Sequence, residues 1–245
     1  PLAEPYLLGV SGGAAVGAVA AMMLGASSAF WPLLAFTGAG VAVILAIGVA
    51  RGAGRSGHTD VRVLLMAGVV VGAFANALIM ILLANVPANT VRGALWWMMG
   101  SVADATWYTV AWLGVYVTLG VAYLAFYAPE IDVLTLGEES AAGLGVDVRR
   151  ATRRAFLASA MLAAATVAAA GLIGFVGLVV PHMARAFGLS RQRAILAGCA
   201  IIGAILVVAS DLLARVVIPP SELPLGAVTA VLGVPFFLIQ LRRMR

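Results

Sequence analysis

The sequence predicts an all-α polytopic membrane protein. Of 245 residues, 63% are hydrophobic and only 10% are charged, against about 25% charged in an ordinary soluble domain. The apolar residues fall into runs near the length a helix needs to cross about 30 Å of hydrocarbon. Little polar sequence separates the runs, which argues for spans rather than buried core helices. Such a composition excludes a soluble enzyme, a disordered regulator and a nucleic-acid binder. The single cysteine, Cys199, excludes a disulfide framework and the common zinc patterns.

Eight spans are expected, at 6–25, 31–50, 63–84, 107–127, 154–171, 173–187, 194–214 and 225–241. The sixth is short for a crossing and reads as a broken or tilted segment. The net charge of +5 comes from 15 arginines and 10 carboxylates, with no lysine. If the spans alternate, 13 arginines share one side: Arg51, Arg55, Arg62, Arg149, Arg150, Arg153, Arg154, Arg185, Arg191, Arg193, Arg242, Arg243 and Arg245. The other side keeps Arg92 and Arg215. The positive-inside rule therefore places the arginine-rich side in the cytoplasm. The chain opens on Pro1, inside a motif and without an initiator Met, so an upstream N-terminal part is expected.

Gly9, Gly13, Gly17, Ala21 and Gly25 are spaced four apart and predict a smooth ridge for a second backbone. Gly68 and Gly72, and the run from Ala163 to Ala170, predict the same kind of contact in later spans. No strand precedes the glycines and no acidic residue follows in register, so a dinucleotide loop is excluded. Ionisable groups are nearly absent from the spans; Asp211 and Arg215 lie one turn apart near an outer end. A proton- or ion-coupled carrier normally buries carboxylates or His near mid-membrane. No GxxxxGK[ST] loop occurs, and a chain without Lys cannot contain one. Energy for moving a solute is therefore expected from another subunit.

The longest polar stretch, APEIDVLTLGEESAAGLGVDVRRATR at 128–153, lies on the cytoplasmic side of this topology. Thr135 and Glu138 have capping-box spacing. Gly143 and Gly145 are expected to stop a helix of about two turns, where φ > 0 or close approach requires them. Asp147 is placed to cap the next helix. The stretch reads either as a solvated helix beside an orienting arginine cluster or as a docking surface for a cytoplasmic partner.

Five ordered stretches carry a resemblance: PLAEPYLLGVSGGAAVG at 1–17, WWMMGSVADATW at 96–107, LGEESAAGLGV at 136–146, GLIGFVGLVVPHMAR at 171–185 and ELPLGAVTAVLGVPFF at 222–237. Together the chain resembles the FecCD/BtuC-like permease subunit of bacterial ABC importers for iron–siderophore, heme and cobalamin. The resemblance implies a single ten-span permease domain in the inner membrane, with residues 1–245 supplying its third to tenth spans. It implies a second permease subunit, two cytoplasmic ATPases that bind ATP and Mg, and a periplasmic or lipid-anchored substrate-binding protein. No cofactor, metal or catalytic residue is expected in this chain. Leu136, Gly137, Glu138, Glu139, Gly143, Leu144 and Gly145 match the segment that couples to the ATPase. Leu2 matches a cytoplasmic gate position; the Asn that usually precedes PLAEP is absent. Arg215 matches the position that meets the glutamates of the delivery protein, with Glu222 beside it. Iron–siderophore is the expected substrate, as the commonest role, with cobalamin or heme as the alternative.

From the residues alone, Asp211, Arg215 and Glu222 also read as an i,i+4 ion pair with a turn-capping Glu. His182, after Pro181, reads as a helix-end residue bonding a freed carbonyl, since a lone His is a poor metal site. His58 lies in a Gly/Ser-rich loop and reads as solvated. Trp96, Trp97, Met98 and Met99 fall in the outer connection 85–106, as interface anchors or as the lining of a substrate entrance. A membrane-embedded enzyme would need a catalytic constellation that two distant His do not supply. A passive channel would need no docking segment at 136–146. The topology is testable by labelling a cysteine introduced into 51–62 in a Cys199→Ala background. It should resist impermeant reagent in intact cells and react after the membrane is opened.

Overall fold

In hydrocarbon no water is available to pair backbone amides, so a chain this apolar must satisfy them internally, and helices do so within one segment. The computed structural model describes residues 9–53, 61–219 and 222–243, and these are α-helical with short connections and no strand. Eleven α-helices follow in order: α1 Val10–Met23, α2 Trp31–Ala53, α3 Val61–Leu83, α4 Ala88–Met98, α5 Trp107–Phe126, α6 Ala128–Leu134, α7 Glu138–Gly143, α8 Val148–Ala170, α9 Val176–Ala186, α10 Gln192–Val216 and α11 Leu225–Arg243. A 3-10 turn at Ser28–Phe30 leads into α2.

Among the described residues, five helical stretches are long and apolar enough to cross a membrane: Ser28–Gly52, Val63–Leu83, Trp107–Phe126, Val148–Ala170 and Gln192–Val216. The other three expected spans differ from simple crossings. α1 has only 14 residues and is buried along most of its length, as befits a helix apolar all round. α11 carries its apolar part at Leu225–Phe236 and contains Pro235. The sixth expected span is broken, as its length implied: residues 171–174 are non-helical and α9 contributes 11 residues. The 11-residue helix rises about 16 Å, roughly half of the hydrocarbon core, so the non-helical residues before it belong to the same crossing. The outer connection also holds α4, an 11-residue helix that begins after Pro87 and lies where a loop was expected.

Glycine on α1 sets the centre of the bundle. A Cβ at Gly13 would strike the Gly38 carbonyl of α2, and one at Gly17 the Leu34 carbonyl. A Cβ at Gly9 would lie 2.7 Å from the Gly68 carbonyl of α3, and one at Gly12 2.9 Å from the Ala75 Cβ. The expected four-residue ridge is therefore divided between two partners. Gly25 lies outside it: with φ +67 and open space around it, it ends α1 in a Schellman arrangement, with Ala26 N–H donating to the Ala21 carbonyl at 3.0 Å. Ala160, Ala164, Ala165 and Ala168 of α8 are buried, matching the small-residue face expected there.

The two ends of the bundle are held by different bonds. At one end, α6 meets α10: the Asp132 carboxylate accepts from the Gln192 N–H at 2.9 Å, and Arg193 Nε donates to the Ala125 carbonyl at 3.0 Å. Arg149, Arg150, Arg153, Arg154, Arg191 and Arg193 gather at this arginine-rich end. At the opposite end, α4, α8 and α11 converge. Ser101 N–H donates to the Ala170 carbonyl at 2.9 Å, and Gly226 N–H to the Met99 carbonyl at 3.0 Å. Gly171 packs on Gly100 there, and Gly226 sits against the Leu172 and Met99 carbonyls. Three of the sequence stretches singled out above thus meet at one knot.

The close approach of α1 and α2 predicts an asymmetric response to substitution. Gly17→Leu should destabilise the protein in detergent by more than the roughly 1–3 kcal/mol typical of overpacking, read as a lower midpoint of thermal unfolding, because rigid backbone is the obstacle. Gly40→Leu on α2, with nothing within 4 Å, should leave it unchanged. Equal midpoints would refute the packing account.

Candidate functional site

The segment 128–153 folds as a protruding helical hairpin. Pro129 lies in the first turn of α6, where its missing N–H costs nothing. The expected capping box is not formed. Thr135 is the C-cap of α6 and its hydroxyl donates back to the Asp132 carbonyl at 2.7 Å, so it is turned away from α7. The N-cap of α7 is Gly137, with φ 106 and ψ 154 and no side-chain bond. The competing local bond to the carbonyl three residues back has won over capping.

α7 ends in a Schellman motif: Val146 N–H donates to the Ala141 carbonyl and Gly145 N–H to the Ala142 carbonyl, each at 3.0 Å. Gly145 has φ +83, as its position predicted. Gly143 does not share that role, since it lies in the last turn of α7 with open space where a Cβ would go. Asp147 caps α8 as expected, accepting from Arg150 N–H at 3.0 Å.

The surface of α7 points outward. Only Ala141 is buried; Glu138 and Glu139 are exposed in the first turn, where negative charge suits the helix end. Leu136 and Leu144 flank the helix and are each 65% exposed. Two bare leucines and two carboxylates on a rigid knob form a surface suited to a protein partner. Leu2 and His58 lie outside the described residues.

At the opposite end, the Arg215 guanidinium forks onto Asp211, with Nε to Oδ2 at 2.9 Å and Nη2 to Oδ1 at 3.3 Å. Its Nη1 lies 3.9 Å from Glu222 Oε1. Glu222 therefore faces Arg215. Both ends of the ion pair retain solvent, so it adds little to stability. Its use is geometric: Asp211 holds the guanidinium plane and leaves Nη1 directed toward Glu222.

Arg215 and Glu222 line a cavity of about 1300 Å³ that Trp96, Trp97 and Trp112 also wall. Trp96 and Trp97 of α4 thus wall this cavity as well as lying near the bundle end, whereas Met98 and Met99 are not part of its lining. α5 adds a stripe that sequence reasoning missed. Tyr108, Trp112 and Tyr116 recur every four residues and all line the cavity, and that spacing was visible in the sequence. Tyr116 also meets Phe36 edge to face, with centroids 5.6 Å apart.

Pro181 interrupts α9, and the His182 Nδ1 lies 2.7 Å from the Leu178 carbonyl. His182 bonds a helix carbonyl as expected, but from the middle of α9 and not from a helix end. Among the described residues no three His, Cys, Asp or Glu side chains cluster to hold a metal ion.

The sequence matches the FecCD transport family over residues 1–243. The chain belongs to the FecCD transport family. It is 40% identical to the cobalamin import system permease protein BtuC of Halobacterium salinarum, over 99% of this chain and 64% of that protein. It is 37% identical to the vitamin B12 import system permease protein BtuC of Citrobacter koseri, over 100% of this chain and 74% of that protein. The chain thus spans less than two thirds of the first relative's length. A solved structure described as an inward-facing metal-chelate type ABC transporter superposes with a TM-score of 0.88 at 25% identity, covering 99% of this chain and 77% of that one. Family and fold agree on a multi-pass helical membrane protein of a transport family.

The two α7 glycines make separable predictions. Gly145→Val forces a branched side chain into left-handed backbone and should destabilise the hairpin by about 1–3 kcal/mol. Gly143→Ala replaces glycine within a helix and should stabilise it by up to about 1 kcal/mol. Limited proteolysis of the 136–146 segment should show faster cleavage in the first variant and no acceleration in the second.

Proposed function

We propose that this chain is a membrane-spanning permease subunit of an ATP-driven importer in the cytoplasmic membrane, and that it carries cobalamin. The observation that carries the substrate is the pair of relatives at 37–40% identity, both named as permeases for cobalamin or vitamin B12. That favours cobalamin over the iron–siderophore expected from the commonest role. The broader metal-chelate class fits the related solved structure.

The chain itself performs no chemistry in this reading. ATP and Mg are bound by two partner ATPases, which dock on the α7 knob at the arginine-rich, cytoplasmic end. Leu136 and Leu144 supply apolar contact, while Glu138 and Glu139 set charge register. Motion of α7 is passed to α6 and then to α10 through the Asp132–Gln192 bond, in which one helix caps another. α10 is a single helix of 25 residues, about 37 Å long, and it carries Arg215 near its far end. There Arg215 and Glu222 receive a substrate-binding protein, and the aromatic cavity beside them opens toward its cargo. A second permease subunit completes the pathway. Apolar and neutral walls give weak chemical selectivity, so specificity rests largely on the delivery protein.

The test is uptake by proteoliposomes holding the full complex with its delivery protein. Labelled cobalamin should accumulate with ATP inside, and a ferric siderophore should not. Accumulation of the siderophore alone would reverse the substrate reading. Arg215→Glu should weaken delivery-protein binding, less so at high salt because the contact is exposed. An unchanged dissociation constant at low salt would leave the Asp211–Arg215 pair a purely local contact.

A further inference from the structure

A second cavity, of about 530 Å³, opens between α5 and α8 at the arginine-rich end; Tyr116 lies between it and the Arg215 cavity and lines both. Its mouth carries Arg150, Arg153 and Arg154, and its inner walls include Leu119, Leu157 and Met161. The charged groups stand at one end; along the α5 wall Tyr116 and Tyr123 add aromatic rings, and the remaining lining is aliphatic or glycine.

The charges at the mouth do not cancel. Arg150 pairs with Asp147 at 3.0 Å, and Arg154 lies 3.6 Å from Glu130 and over the Tyr127 ring at 4.8 Å. Arg153 forms no ion pair among the described residues. Three guanidiniums face two carboxylates, both pairs are partly exposed, and one positive charge is left at the rim.

The depth is also informative. From Arg150 to Leu162 the α8 wall rises 12 residues, about 18 Å. That is close to one leaflet of a hydrocarbon core about 30 Å thick. Gly120 lacks the Cβ that would strike Leu162, so that leucine packs directly on α5 and closes the inner end of the groove.

We propose that this groove binds one anionic phospholipid, with its phosphate among Arg150, Arg153 and Arg154 and an acyl chain along Leu119, Leu157 and Met161. A guanidinium recognises phosphate by paired N–H donors, and a basic mouth at the cytoplasmic side meets the leaflet richest in anionic headgroups. A free phosphate would satisfy the mouth but leave the aliphatic groove empty. A zwitterionic lipid would fill the groove but gain little from the unpaired charge. The site asks for both features in one molecule.

Native mass spectrometry of the full transport complex tests this, with palmitoyl-oleoyl phosphatidylglycerol and palmitoyl-oleoyl phosphatidylcholine added at equal concentration. Phosphatidylglycerol should be retained in preference. Arg153→Gln should reduce its retention by roughly fivefold, the usual contribution of one basic residue near anionic headgroups. Ala158→Trp, which fills the groove and keeps every arginine, should also reduce it, and Arg92→Gln at the opposite end should not. Co-elution of all subunits controls for folding. Equal retention of the two lipids, or undiminished phosphatidylglycerol in Arg153→Gln, would overturn the proposal. So would retention of neither lipid, the outcome if another protein helix seals the groove.

Discussion

Backbone amides that cannot reach water must find partners inside the protein, and one stretch of this chain makes that requirement acute. Residues 171–174 leave the helical path within an apolar bundle. Such a segment is tolerable only where protein covers it. Gly171, Leu172 and Gly174 are buried, and the ends of α4 and α8 and the start of α11 supply the cover. Gly100 and Gly226 permit that contact, because any Cβ there would meet the Leu172 carbonyl. The broken crossing, the position of α4 and the entry angle of α11 are therefore one arrangement.

The same demand for close approach governs the centre. α1 is short and rich in small residues, and α2 and α3 reach its backbone through Gly13, Gly17, Gly9 and Gly12. Without a hydrophobic drive between helices in lipid, this contact must come from van der Waals packing. Larger apolar side chains are left at the periphery, as on α3, where Met66, Phe74 and Met80 are exposed. Exposure of that kind suits lipid or a further membrane subunit and needs no local explanation.

Charge is scarce and is spent at the two ends. At one, Asp132 ties α6 to α10 while α7 stands clear with two carboxylates and two leucines. At the other, Asp211 fixes the plane of Arg215 beside an aromatic cavity. α10 runs between them as an unbroken helix. One unbroken helix thus carries a cap at one end and an oriented guanidinium at the other, with no buried charge between them.

The sequence by itself determined the class of the protein, its apolar runs, the segregation of arginine and the family. These depend on composition, periodicity and short motifs, which are local properties. It also marked the left-handed turn at Gly145 and the cap at Asp147, because both act over four residues or fewer. It misjudged the Thr135–Glu138 capping box, since spacing cannot tell whether a hydroxyl bonds forward or back. It placed Gly25 on a ridge that the chain has already left. Only the tertiary structure decided that residues 96–100, 171–174 and 222–226 form one knot, that Asp132 caps a helix 60 positions away, and that the arginines opening α8 face a groove one leaflet deep. Those facts arise from which helices touch, and contact between distant segments leaves no period in a single chain.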